Sequence, residues 1–425
     1  MKIKKFLLRY YPPGIIIEYE KSNGELEIKS IDLLNLNEGT NVEELVGEIL
    51  REEPLIPNSK RHYLINLINK LVAKVSENAV QDFRKFKKLQ GHMQPLTNCA
   101  FNKYGTQFIT GSYDRTCKLW DTESGNCVHT FQGHTNIVYC ISFNNPYGDR
   151  VATGSFDKTT KIWDAQSGIC LSTFREHENE IVCLNFSPQG TILGTGSMDK
   201  TAKIWDLETG TILGNLKGHK GEVISLNFTT DGDKIITGSF DGTARIWDVR
   251  TGACIDCFSE HGSEISNAIF EFAGDYAATS SLDKTIKLWD LRKGMCQKTF
   301  TCHKDEVLDI AFNSTGTMLA SASADHTARL YSVSELNEQP AVMYHDESIS
   351  KVTFNPQGRK ILTCSEDKTA KIWDLNGTLL KTLSDHTDEI FSCAFNYNGD
   401  TIITGSKDNT CVIWKDINAA PTNQS

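Results

Sequence analysis

Histidine, serine, aspartate and tryptophan recur together in this chain at fixed offsets. His134 is followed by Ser155, Asp157 and Trp163, and His219 by Ser239, Asp241 and Trp247. A carboxylate orienting an imidazole that takes a proton from a hydroxyl is the chemistry of acyl transfer. Here the set is repeated. The histidines are His92, His134, His177, His219, His261, His303, His345 and His386, 41 to 43 residues apart, and an aspartate follows each by 22 residues, once by 23. A catalytic triad occurs once per site, so eight copies at one period argue for structure. We read each set as a buried hydrogen-bonded chain. The carboxylate bonds turn amides and the imidazole, the imidazole bonds the serine, and the serine bonds the indole N–H, because buried polar groups need partners.

The elements that must hold this set are legible in one repeat. Residues 137–143 form an unbroken apolar run of buried-strand length. A turn at 144–149, a second strand at 151–155, a tight turn at 156–158 and a third strand through Trp163 follow. An aromatic residue lies six positions after each aspartate; it is tryptophan in seven repeats, using every tryptophan of the chain, and Tyr331 in the sixth. A period near 42 with a Gly-His start and a Trp-Asp end resembles the WD repeat, which folds as four strands per propeller blade. The expected fold class is therefore all-β: an eight-bladed WD-repeat β-propeller over residues 83–416, preceded by a small α+β module at 1–82 and followed by a polar tail at 417–425.

Within the module, residues 2–9 and 15–20 flank Pro12-Pro13-Gly14 as a hairpin, and 25–31 suit a third strand. Asn41 is placed to cap a helix over 42–52, with Glu43 and Glu44 in its first turn. Residues 59–75 read as an amphipathic helix with Leu64, Leu67, Ile68, Leu71 and Val75 on one face. Residues 83–90 resemble the outer-strand segments 127–132 and 295–301, and only eleven residues follow Trp414. The expectation is that 83–90 completes the last blade, closing the ring and removing exposed edges.

Composition narrows the function. No run of 18 apolar residues exists, so no helix is expected to span a membrane, and MKIKKFLLRYYPPG is interrupted too early for a signal peptide. Cys99, Cys140, Cys183 and Cys393 recur six or seven residues after their histidines, in the first strand, which reads as core packing in a reducing compartment. Cys254 and Cys257 form a lone C-x-x-C without a second pair. No Gly-rich phosphate loop, zinc spacing or unique nucleophile is present, so neither catalysis, a metal nor a cofactor is expected. Residues 91–425 hold 29 Lys+Arg against 41 Asp+Glu. An acidic ring argues against nucleic acid, favours a protein partner and is compatible with a basic one.

The variable positions carry the site expectation. The residues just before the first five aspartates are Tyr113, Phe156, Met198, Phe240 and Leu282, large and apolar where turns are normally polar. We expect them to form a partner-binding arc on one face of the ring. Glu180, Glu222, Glu264, Glu306 and Glu389 lie three residues after their histidines and are expected to form an acidic rim around it. A second expected site is the junction where residues 83–90 enter the ring beside the module.

Three phrases carry a closer resemblance: FLLRYYPPGIIIEYE, PLTNCAFNKYGTQFITGSYDRTCKLWDTESG and HTDEIFSCAFNYNGDTIITGSKDNTCVIWK. They are similar to the dynein assembly factors with WD repeats, with RYYPPG the most specific part. That resemblance implies a non-catalytic adaptor that loads preassembled outer-arm dynein onto the intraflagellar transport particle; a monomer is expected. It also implies a location in the cytoplasm and the cilium or flagellum, basal body and axoneme included. Another class stays open. Trp247-Asp248-Val249-Arg250 and Trp289-Asp290-Leu291-Arg292 resemble the W-D-x-R of cullin–RING ligase substrate receptors, with Arg250 and Arg292 as the adaptor contacts. A generic propeller scaffold, of the G-protein-β or vesicle-coat kind, is the third reading.

Overall fold

The computed structural model describes residues 2–21, 26–37, 39–75, 81–335 and 339–419. It divides into two units, residues 1–80 and 81–425, each with its own core.

The first unit is a three-stranded antiparallel sheet and two helices. Strands β1 (Lys2–Arg9), β2 (Gly14–Glu20) and β3 (Leu26–Asp32) lie in the order β1-β2-β3. Residue 25, expected in the third strand, lies outside the described residues. Alternation along β2 sends Ile15, Ile17 and Tyr19 to one face, where they are buried. Ile15 and Ile17 meet Val46 and Ile49 of α1 (Val42–Glu52) and Leu64, Ile68 and Leu71 of α2 (Arg61–Val75). The Asn41 side chain accepts from the Glu44 N–H at 3.4 Å and caps α1. The second helix starts two residues later than its apolar period suggests, because Asn58–Lys60 winds as a 3-10 turn before it; the Val75 side chain lies outside the described residues. Arg9 ties the hairpin, donating to Pro12 O at 2.8 Å and to Asp32 at 2.6 Å.

The second unit is a ring of eight four-stranded antiparallel sheets. Seven blades use consecutive strands. The eighth takes Ile390–Phe395, Thr401–Ser406 and Thr410–Asp416, and its outer strand is Phe83–Gln90, paired from Thr410↔Gln90 to Asp416↔Phe83. The approach to that strand is fastened as well. Gln81 donates to Gly399 O at 2.9 Å and accepts from Lys360 at 2.7 Å, while Asp82 accepts from Lys381 at 2.7 Å. Residues 420–425 of the expected tail lie outside the described residues.

Apolar burial occurs between blades. One cluster joins Ile109, Leu119 and Phe131 of blade one to Val138, Phe143 and Trp163 of blade two; another joins Ile403 and Ile413 of blade eight to Leu96, Phe108 and Trp120 of blade one. No blade buries its faces alone, so the ring stands or falls together.

The first strand of each blade packs on the first strand of the next. Their third residues form a polar belt in place of an apolar one. Ser225 Oγ donates to Asn267 at 3.1 Å, Asn267 Nδ2 to Asp309 at 2.8 Å, and Val352 N–H to Asp309 at 3.1 Å. Lys351 Nζ donates to Ser392 at 3.1 Å and Asn98 at 3.4 Å, and Ser392 Oγ to Asn98 at 2.9 Å. In blades two and three the same position is Cys140 and Cys183, whose thiols face the next blade's carbonyls at 3.9 and 3.8 Å. Cys393, read from its spacing as core packing, lies sulfur to sulfur with Cys364 of blade seven inside a buried apolar cluster; spacing within a repeat does not show which sulfurs meet across blades.

Burial pushes the Asp309 carboxyl up, and the Lys351 ammonium and the bonded N–H groups pull it back down. A carboxyl whose folded pKa is raised contributes stability below its unfolded pKa and loses it as pH rises through the folded value. Replacing Lys351 by Met leaves the buried charge uncompensated. We expect a cost of roughly 3 kcal/mol in denaturant unfolding at pH 7, larger at pH 8 than at pH 5. Adding Asp309→Asn should recover part of it.

Candidate partner-binding end of the ring

The repeated polar set closes at one end of every blade, with one substitution against expectation. His134 Nδ1 lies 2.8 Å from Asp157, but its Nε2 lies 2.8 Å from Thr153 Oγ1, not from Ser155. Trp163 Nε1 donates to the same Thr153 hydroxyl at 2.9 Å. Blade four repeats this with His219, Asp241, Thr237 and Trp247 at 3.0, 2.8 and 2.8 Å. The expected serine sits two residues nearer the turn. Ser155 accepts from Asp157 N–H at 3.0 Å and donates to Asn136 O at 3.1 Å, and Ser239 likewise accepts from Asp241 N–H at 3.1 Å. Both hydroxyls share the inward face of the second strand, and only the inner one lies level with the indole. In blade six Ser321 takes the threonine's place, and the buried Tyr331 hydroxyl has no hydrogen-bond partner among the described residues.

Proton positions follow from chemistry. An indole N–H only donates, so the threonine oxygen accepts it and gives its own proton to His Nε2. The histidine is then neutral and donates from Nδ1 to the aspartate. Burial lowers the pKa of His219, His261 and His345, partly offset by their aspartates, in agreement with neutrality. The polarity matches a hydrolase triad, but the hydroxyls cannot act as nucleophiles. Thr110, Thr153, Thr195, Thr237, Thr279, Ser321, Thr363 and Thr404 are all fully buried, and in the seven tryptophan blades the indole occupies the oxygen lone pair a substrate would meet.

Each aspartate also fixes its turn. Asp157 accepts Thr159 N–H at 2.9 Å, Thr159 Oγ1 at 2.6 Å and Thr135 N–H at 3.0 Å. These bonds hold Lys158 at φ 70, the left-handed region that side chains avoid. A threonine two residues after the aspartate occurs in all eight repeats, and one four residues before it in seven, so the sequence carries a signal for both hydroxyls. Burial pushes these carboxyls up, but hydrogen bonds from threonine, histidine and backbone outweigh it. Asp283 is held at about 2, and the other seven lower still.

The variable residues stand around this network. Backbone bonds seat each acidic position beside its turn residue: Met198 N–H donates to Glu180 O, Phe240 to Glu222 O and Leu282 to Glu264 O, each at 2.9 Å. Glu306 meets Ala324 at 2.9 Å, and Glu389 meets Lys407 at 2.8 Å and pairs with its ammonium at 3.0 Å. In blades one and two the partners of Tyr113 and Phe156 are Pro95 and Ile137, so no acid adjoins them. Tyr113 and Phe240 are exposed; Phe156, Met198 and Leu282 are half-buried. The structure adds a second set. The second residue of each first strand is a β-bulge, which re-aims its side chain. In blades two to four these are Tyr139, Val182 and Ile224; Tyr139 is exposed and stacks on Phe156 with ring centroids 5.2 Å apart.

Arg250 and Arg292 are exposed, and Arg292 pairs with Asp275 at 3.5 Å. A bulge in the outer strand of blade four sets Cys254 opposite Trp247 and Cys257 opposite Arg245, whose guanidinium donates to Cys254 Sγ at 3.7 Å.

Comparison with known proteins agrees with this architecture. The family model described as WD domain, G-beta repeat matches residues 83–121, 125–164, 168–206, 210–248, 252–290, 294–332, 339–374 and 377–415. Over 146 residues the chain is 56% identical to "Dynein assembly factor with WD repeat domains 1" of Xenopus laevis and of Homo sapiens. That match spans 34% of this chain and 35%, about a third, of each relative. A shorter stretch of 63 residues is 41% identical to "Pre-mRNA-processing factor 17" of Mus musculus, 15% of this chain and 11% of that one. Among solved structures, the computationally designed Ika8 protein superposes with a TM-score of 0.70 at 27% identity, over 78% of this chain and 99% of that chain.

Two outcomes test the network. Thr153→Val should expose the Trp163 indole proton to exchange by NMR, and Ser155→Ala should leave it protected. A carboxyl held below its unfolded pKa stabilises above that pKa and loses the contribution as pH falls through the folded value. Stability should therefore fall steadily as pH drops below about 4, and Asp157→Asn should make the fall shallower.

Proposed function

Since the chain belongs to the WD domain, G-beta repeat family, we propose that it is a non-catalytic adaptor that links preassembled outer-arm axonemal dynein to the intraflagellar transport machinery. The observation that carries this reading is the 56% identity, over 146 residues, to dynein assembly factors. The division into two units supports it, since an adaptor needs two surfaces and each unit has a core of its own. One partner binds the end of the ring that carries Tyr113, Phe156, Met198, Phe240 and Leu282, with Glu180, Glu222, Glu264, Glu306 and Glu389 around them; the other depends on the N-terminal unit. The site of action is the cytoplasm and the cilium or flagellum, basal body and axoneme included, and the adaptor acts as a monomer. Among the described residues no helix is long and apolar enough to cross a membrane.

The exposure of Arg250 and Arg292 in consecutive blades favours one other reading, a substrate receptor of a cullin–RING ligase. Recovery from ciliated-cell extract separates the two. The full chain should recover outer-arm dynein and transport-particle subunits, and a chain lacking residues 1–80 should lose one of the two sets and keep the other. Recovery of a cullin adaptor alone, abolished by Arg250→Glu with Arg292→Glu, would replace the first reading with the second.

A further inference from the structure

One turn at the His/Asp end is peculiar to blade four. The residue after the turn aspartate has a left-handed φ in every blade and carries a side chain in seven of them: Arg115, Lys158, Lys200, Lys284, His326, Lys368 and Asn409. In blade four it is Gly242, φ 74, and a Cβ there would stand 3.0 Å from Ser263 O. The missing side chain leaves a groove of about 300 Å³ between the turn at 240–242 and the loop at 261–264 of blade five. Phe240, 41% exposed, forms one wall, and Glu264 forms the other. The Ser263 hydroxyl donates to the Glu264 carboxylate and lowers its pKa, so it is ionised at neutral pH.

An aromatic face beside a carboxylate has one natural complement. A lysine or arginine side chain lays its methylene stem and its charge on the ring and points its N–H groups at the carboxylate. The surroundings have the same sign. The loops that carry the histidines and turn aspartates of blades three to eight hold 14 further carboxylates against 6 lysines and one arginine. Two of the turn aspartates face cations: Asp367 faces Lys371 at 3.9 Å and Asp408 faces Lys88 at 3.3 Å. The loops of blades one and two hold no further carboxylate, and there the stacked Tyr139–Phe156 pair offers an apolar surface.

We propose that this end receives a basic segment of a partner protein, with a Lys or Arg side chain in the Phe240–Glu264 groove and an apolar side chain of the same segment on the Tyr139–Phe156 pair. This rests on the reading above that this end is a partner surface, and it names the chemistry of what binds. The negative field excludes nucleic acid and speeds the approach of a positive segment.

The test is selection of displayed random 12-residue peptides on the intact full chain, followed by fluorescence anisotropy of the enriched peptides. Enriched sequences should pair Lys or Arg with an aromatic or aliphatic residue and bind more weakly as salt rises. Their affinity should fall about tenfold or more with Phe240→Ala and with Glu264→Gln. Both residues lie outside the buried network, and circular dichroism should show the fold unchanged. If peptides lose affinity with Phe240→Ala yet carry no Lys or Arg, the end is a partner surface and the basic-segment proposal is wrong. If they bind both variants as well as the parent, or none is enriched, the surface reading fails with it.

Discussion

One hydroxyl per blade holds the ring's geometry. In the seven tryptophan blades Thr153 and its equivalents take the indole proton of the third strand and give their own to a histidine from the loop before the first strand; that histidine binds the aspartate of the turn. Three segments far apart in sequence are thereby fixed around one buried oxygen. The bond directions are forced, since the indole cannot accept and the carboxylate cannot donate. The same arrangement that looks catalytic on paper is what prevents catalysis: the hydroxyl is buried and committed on both sides.

That local lock matters because the blades have no separate cores. Trp163 of blade two packs on residues of blade one, and Trp120 of blade one on residues of blade eight. Adding Phe83–Gln90 to the last blade makes this interlocking circular. The inner belt runs along the same circle, with Asp309 and Lys351 held by neighbours from adjoining blades. A rigid circle leaves the turn residues free to vary, because what fixes each turn is its aspartate and not its apolar neighbour. Binding chemistry can therefore be written at that end without cost to the fold.

Much of this was legible in the sequence, for a physical reason. A repeat multiplies each signal by eight, so the histidines, aspartates and tryptophans stood out, and with them the four-stranded blade. The helix at Val42–Glu52 was legible from Asn41, whose side chain accepts a first-turn N–H, and from Glu43 and Glu44, whose charges suit the positive end of the helix. The hydroxyl in the network was misassigned because Thr153 and Ser155 point to the same face of one strand; side-chain parity cannot separate them, and only depth along the strand does. The bulge that turns out Tyr139 leaves no compositional trace. The groove at Gly242 needed the loop of the next blade, since a missing side chain becomes a groove only when a neighbour supplies the other wall.

A closed ring whose His/Asp end is a partner surface should be protected at that end when a partner binds. Amide hydrogen exchange of the full chain, read alone, with purified outer-arm dynein and with purified transport particle, decides this. Slowed exchange at residues 135–140, 156–159, 220–224 and 240–243 with one of the two, and unchanged outer strands, is the expected result. Slowing confined to the outer strands, or exchange identical in all three samples, would overturn the reading.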